Sequence, residues 1–338
     1  MASPEQLLVL VILASVILYA LTGGADFGGG VWDLFASGPR KTAQRRAIAA
    51  AIAPVWEANH VWLIIAVVLL FVCFPGVYAA ISTALHIPIT AMLIGVILRG
   101  TAFTFRAYDT GPGKHARSQG WSRTFAITST ITPVMLGVIA GAVASGGIKF
   151  DVHGKLVTDF ISAWWAPFPF VIGLLTLALF AQIAAVYLCL VHKGSDLADD
   201  FRLRALVSGV AVVTLAWVAW AIADLGAPGF RQRLMASGGG LGLHLGTAAA
   251  GLTTLSALWL RKYTLTRVAV MVQTTGVLVG QAWGQAPYLL PPHITVSEAA
   301  APSSVLIPVL WALLAGSIIL VPAYSALYWV FHAATDDV

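Results

Sequence analysis

Nine apolar runs, near residues 6–35, 47–74, 77–99, 122–145, 160–191, 204–224, 239–260, 265–286 and 305–331, are each long enough to cross about 30 Å of hydrocarbon. In lipid every backbone N–H and C=O must be satisfied inside the protein. Only helices and closed barrels achieve that, and these runs are too long and too unalternating for barrel strands. The expected fold is an all-α integral membrane protein of about nine transmembrane helices. Hydrophobic residues make up 59% of the 338 and charged residues 10%, which leaves no stretch polar enough for a soluble domain. Residues 1–338 are read as a single polytopic membrane domain, with room for two four-helix bundles plus one helix, although no internal repeat is evident. The first run follows Glu5 without a basic stretch or a small-residue cleavage site, so it is expected to be a retained helix.

Charge gives the orientation. Breaks such as Ser37-Gly38-Pro39-Arg40, Phe74-Pro75-Gly76 and Gly226-Ala227-Pro228-Gly229 separate the runs. Counted across nine crossings, fifteen Lys and Arg residues fall on one side, Arg99 and Arg106 among them, and only Lys149, Lys155, Arg231 and Arg233 on the other. Cytoplasmic loops hold the excess, which puts the N-terminus outside and the C-terminus in the cytoplasm. The net charge of +5 is thus topological and calls for no nucleic acid. Cys73 and Cys189 end on opposite faces, and no disulfide is expected.

Two acids stand inside apolar runs: Asp26 in Gly23-Gly24-Ala25-Asp26-Phe27-Gly28-Gly29-Gly30, and Glu57 in Ala53-Pro54-Val55-Trp56-Glu57-Ala58-Asn59-His60-Val61-Trp62. A carboxylate at the bilayer centre costs about 2.5–3.5 kcal/mol even on the lenient scale, so it marks a function by default. The rival reading is a structural hydrogen bond to Asn59, His60, a Trp or an Arg of a neighbouring helix. On the predicted topology both acids lie in the inner half of the membrane. Asp33 follows Asp26 by two turns, close to the interface, and His60 follows Glu57 by three residues on the same face. Together these four form a column of protonatable groups leading inward. Gly24-x-x-x-Gly28 fits close helix packing.

Read with these two motifs, Ile97-Leu98-Arg99-Gly100-Thr101-Ala102-Phe103-Thr104-Phe105-Arg106 and Gly284-Gln285-Ala286-Pro287-Tyr288-Leu289-Leu290-Pro291-Pro292 complete a set that resembles subunit II of the cytochrome bd-type quinol oxidases, in order and over essentially the whole chain. The resemblance implies a terminal respiratory oxidase in a bacterial inner membrane that oxidises quinol, reduces O2 to water and takes up protons from the cytoplasm. It also implies a heterodimer in which subunit I carries haems b and d and the quinol site, while this chain binds no haem. A structural quinone and small accessory subunits stay open. By the same resemblance Asp26 and Glu57 belong to a proton path, and Trp62 matches a residue at the mouth of an oxygen route. Two positions depart from the pattern: many members carry a further acid where this chain has Gly23, and Asp where it has Glu57.

Arg99 and Arg106 are expected to contact anionic lipid or loops of the partner subunit. The twelve tryptophans, Trp32, Trp121, Trp164 and Trp165 among them, suit helix-end belts. Haem ligation needs a His with a second-shell partner facing a cavity, which the sequence around none of the eight histidines provides, and no Cys/His cluster has metal-site spacing. Two other functions remain open at this point. A proton-coupled secondary transporter would carry acids near the midplane, but the second half of the chain has no counterpart of Asp26 or Glu57. A purely structural membrane subunit would need neither acid.

Overall fold

The computed structural model describes the backbone of residues 3–52, 56–108 and 115–333, and the side chains of 3–52, 56–105 and 120–327. Thirteen helices and one two-stranded hairpin are described: α1 (Pro4–Leu34), α2 (Lys41–Ile52), α3 (Trp56–Cys73), α4 (Pro75–Ala84), α5 (His86–Tyr108), α6 (His115–Ser145), α7 (Pro167–Val191), α8 (Asp196–Gly226), α9 (Phe230–Met235), α10 (Gly238–Trp259), α11 (Tyr263–Gln285), β1 (Tyr288–Leu290), β2 (Ile294–Thr295), α12 (Val296–Ala299) and α13 (Ser303–Ala333). Pro4, Pro75 and Pro167 open their helices in the first turn, where a missing N–H costs nothing.

Among the described residues eight helices are long and apolar enough to cross a membrane, and α11 is not one of them. It still runs the depth of the bundle. Its first residue, Tyr263, is buried with Trp32 of α1, Ile52 of α2 and Cys189 of α7. At its far end Gly284 packs on Phe230, which belongs with Ala144 and Phe168 at the opposite end of the protein. The helix carries Thr266, Gln273 and Thr274, and all three face inward. The bundle therefore has nine traversing helices among the described residues. Leu8 at the start of α1 and Leu306 at the start of α13 share one end cluster with Cys73 and Leu290, so α1 and α13 run in the same direction.

Two predicted boundaries move. The run at 47–74 is two helices: α2, amphipathic, burying Gln44, Ala47, Ile48 and Ile52, and then α3 as the crossing segment. A network at one end ties α2 to α8. Arg40 donates to both carboxylate oxygens of Asp200 at 2.9 and 2.7 Å, Gln44 donates to Asp200 at 2.8 Å, and Arg204 donates to Gln44 at 2.8 Å. The bond to Asp200 holds the Arg40 guanidinium still further from deprotonation than usual. The run at 77–99 breaks at Leu85, which caps α4, and the crossing helix is α5, with Pro88 in its first turn. Arg99 consequently lies inside the span rather than at its end.

The most enclosed helix is α7, with 67% of its apolar window buried, whereas α13 has 6% of its window buried. Glycine decides how close α1 comes to α7. A Cβ on Gly28 would collide with the Phe180 backbone carbonyl, and one on Gly24 would stand 2.6 Å from the Phe180 ring. Trp32 is packed inside, donating to the Ala181 carbonyl at 2.7 Å, and is no belt residue; Trp164 is buried as well, while Trp165 is exposed. Cys73 and Cys189 are both free and buried, in separate clusters.

Candidate functional site

Where α1 passes α3, α5 and α13, polar side chains converge inside the bundle. Asp26 is 6% exposed, and its Oδ2 accepts a hydrogen bond from Asn59 Nδ2 at 2.6 Å. The Asn59 carbonyl oxygen in turn accepts from the Tyr324 hydroxyl of α13 at 2.8 Å. An amide offers one oxygen and one NH2, so this chain has a direction: phenol to amide, amide to carboxylate.

Arg99 reaches the same place from α5. It is 2% exposed, with its guanidinium carbon 4.6 Å from the Phe27 ring centre and 5.4 Å from that of Phe125. Among the described residues its Nε and Nη2 are buried without a hydrogen-bond acceptor, and it makes no ion pair within 4.0 Å. Stacking on aromatic faces and the field of Asp26 are what its charge meets there. The expectation that Arg99 contacts lipid or the partner subunit is corrected, because the break at Leu85 draws it into the bundle. The side chain of Arg106 lies outside the described residues.

His60 completes the cluster on its outer side. Its Nδ1 lies 3.4 Å from the hydroxyl of Tyr19, itself 2% exposed, and its ring stands 5.7 Å from that of Tyr19 and 6.1 Å from that of Phe27. The Tyr19 ring also lies over Gly23, where an added Cβ would stand 2.9 Å from it. Gly23 is thus covered by an aromatic ring.

Two expected site residues, Glu57 and Asp33, stand apart from this cluster, and a third, Trp62, meets it only through Tyr324. Glu57 is exposed on the surface of the chain, not buried in the bundle. The reason is helical phase: Asn59 is 1% exposed and faces inward, and two residues back is about 200° round the helix. Asp33 is fully buried at the end of α1, because α2 folds back over it. Arg45 Nε stands 3.8 Å from the Asp33 carboxylate, and Arg45 also donates to the Asp33 backbone oxygen at 3.3 Å. Trp62 is half-buried on the α13 side, its ring 5.3 Å from Tyr324 in a T-shaped contact and its Nε1 buried without an acceptor among the described residues.

Sequence reasoning missed Tyr19, Tyr324 and the inward turn of Arg99. Tyr19 had a signal, since it precedes Asp26 by two helical turns. For Arg99 the signal was Pro88, which starts a helix anew. Tyr324 had none, because only packing brings α13 to α3. Of the other histidines, His86 caps the α4–α5 break, 3.0 Å from the Thr83 carbonyl, and His244 is exposed beside Trp220. Among the described residues no three His, Cys, Asp or Glu side chains converge to hold a metal ion.

The family described as cytochrome bd terminal oxidase subunit II matches residues 4–331. The chain belongs to this family. It is similar to the cytochrome bd-I ubiquinol oxidase subunit 2 of Escherichia coli (strain K12), 30% identical over 210 residues that cover 60% of this chain and 53% of that one. It is also similar to the cytochrome bd ubiquinol oxidase subunit 2 of Bacillus subtilis (strain 168), 29% identical over 168 residues covering 48% of each. The matches thus span about half the length of these curated relatives. A chain in the structure of bd oxidase from Geobacillus thermodenitrificans shares the fold, with a TM-score of 0.75 over 98% of this chain and 99% of that one at 18% identity.

Proposed function

We propose that this chain is subunit II of a terminal quinol oxidase. The complex oxidises quinol, reduces O2 to water and draws its protons from the cytoplasm, and this chain is the haem-free member beside a haem-bearing subunit I in the bacterial inner membrane. The observation that carries the reading is Asp26, a carboxyl buried within an apolar bundle beside the cation of Arg99 and the donor Asn59, in a chain of this family. Haems b and d belong to subunit I. His60, the histidine nearest the cluster, has its Nδ1 3.4 Å from the Tyr19 hydroxyl.

Asp26 holds and passes a proton within the span. Asp33, paired with Arg45 at the more basic end, stands on the uptake side, and His60 with Tyr19 borders the route. Glu57, at the surface, joins the path at the seam with subunit I, where a second surface removes it from lipid. Trp62 lines the apolar side at the seam of α3 and α13 and serves oxygen access. Residues 1–338 act as one membrane domain.

The test is the assembled complex carrying Asp26→Asn or Glu57→Gln. Each amide keeps shape and hydrogen bonding but cannot titrate, so oxygen consumption with quinol falls about tenfold or more with haem spectra unchanged. Wild-type turnover in both variants, with protons still drawn from the cytoplasm, makes the acids structural and moves the route to the partner.

A further inference from the structure

Two hydrogen bonds join three helices in a fixed order. The Tyr324 hydroxyl of α13 lies 2.8 Å from Asn59 Oδ1, and Asn59 Nδ2 lies 2.6 Å from Asp26 Oδ2. A tyrosine hydroxyl can donate or accept, whereas an ionised carboxylate only accepts. While the phenol donates to Asn59, the amide oxygen is occupied and the NH2 must turn toward Asp26. Asn59 is 1% exposed and Asp26 6%, so bulk water does not reorient the amide. The half-buried Tyr324 is the member of the chain that meets the outside. It belongs to the least enclosed helix, and the Trp62 ring fixes its own ring from the side at 5.3 Å.

We propose that Tyr324 is a positioning residue for Asp26: its hydroxyl sets the orientation of the Asn59 amide, which commits Asp26 Oδ2 to accepting a hydrogen bond and leaves Oδ1 as the oxygen that carries and releases the proton. The proposal rests on Asp26 as a proton-path residue for its effect on turnover, but not for its effect on the carboxyl itself. An amide does not pass protons readily, so Asn59 and Tyr324 tune the acid and are not links of the wire. Charged and titratable groups near Asp26 are Arg99 on α5 and Tyr19 on α1, whose fields couple to its carboxyl, and His60 on α3, which packs on the adjacent Phe27. All three are left in place by a change at Tyr324.

The experiment is infrared difference spectroscopy on the assembled oxidase complex, with the Asp26 carboxyl band assigned as the one lost in Asp26→Asn. Tyr324→Phe keeps the ring against Trp62 and removes only the hydroxyl. The expected result is a shifted Asp26 band, unchanged haem content and turnover lowered about two- to tenfold, the range of one hydrogen bond. Asn59→Leu gives the same band shift by removing the intermediary, and in that background Tyr324→Phe adds nothing. An Asp26 band unmoved by Tyr324→Phe overturns the proposal. Should Tyr324→Phe fail to assemble, an unmoved band in Asn59→Leu does so equally. If Asp26→Asn turns over at the wild-type rate, the proton-path reading fails, and the band shift still decides whether Tyr324 positions the carboxyl.

Discussion

At the scale of single residues, Asp26 and Arg99 stand in the interior of the bundle with no direct ion pair between them. A charged group at the bilayer centre costs about 2.5–3.5 kcal/mol, and Asp26 offsets that with a short bond from Asn59 and the nearby Arg99, itself cushioned by Phe27 and Phe125. Such groups sense each other's field, so removing one leaves the other's charge less compensated. Arg99→Leu is therefore expected to lower the melting temperature of the detergent-purified complex by several degrees, and Asp26→Asn in the same chain to recover part of the loss, since an amide needs no counter-charge. Strictly additive losses in this double-mutant cycle would mean the two groups do not sense each other. Phase explains which residues gathered here. Asn59 and Asp26 face inward on their helices, while Glu57, in the same motif as Asn59, points out.

At the scale of elements, the contact of α1 with α7 depends on surfaces without side chains. Lipid tails are as apolar as leucine, so helix association in membranes comes from close packing rather than from hydrophobic burial. Gly24 and Gly28 give α7 that access, and the Phe180 ring fills the space beside Gly24. Gly28→Ala pushes a methyl into the Phe180 backbone, which cannot swing aside as a side chain would. The expected outcome is a loss of roughly 1–3 kcal/mol, read as a lower melting temperature and lower yield of complex. Gly76→Ala is the control: a Cβ there meets nothing within 4 Å, and in a helix it is expected to be neutral or stabilising by about 0.5–1 kcal/mol. Equal effects of the two substitutions would remove close packing as the reason for the glycines. The polar helix α2 obeys different physics, held at its rim by the network of Arg40, Gln44, Asp200 and Arg204 and by its buried edge of Ala47, Ile48 and Ile52.

At the scale of the whole molecule, the two ends differ in charge. Arg40, Lys41, Arg45 and Arg46 gather with Arg202, Arg204, Arg261 and Lys262 at the end where α1 finishes, while Lys149 and Lys155 lie beyond α6 at the other. The excess belongs in the cytoplasm. Because Cys73 and Cys189 are buried, single new cysteines read this out against a quiet background. A membrane-impermeant maleimide added to whole cells is expected to label Val152→Cys, at a position 96% exposed in the outer loop, and to spare Ser37→Cys until the membrane is opened. Labelling in the reverse order would invert the topology. By itself the sequence determined the helical class, the nine traverses and the family, and it singled out Asp26 as a candidate, because length, hydropathy and the cost of burying charge in lipid are properties of local composition. It did not determine which polar residues meet. The break at Leu85 turned Arg99 inward, helical phase turned Glu57 outward, α2 closed over Asp33, and α13 brought Tyr324 to Asn59 across most of the chain's length. Each outcome depends on how separate helices rotate and stack, and in lipid that is decided by the fit of side chains and glycines across interfaces, which no single segment encodes.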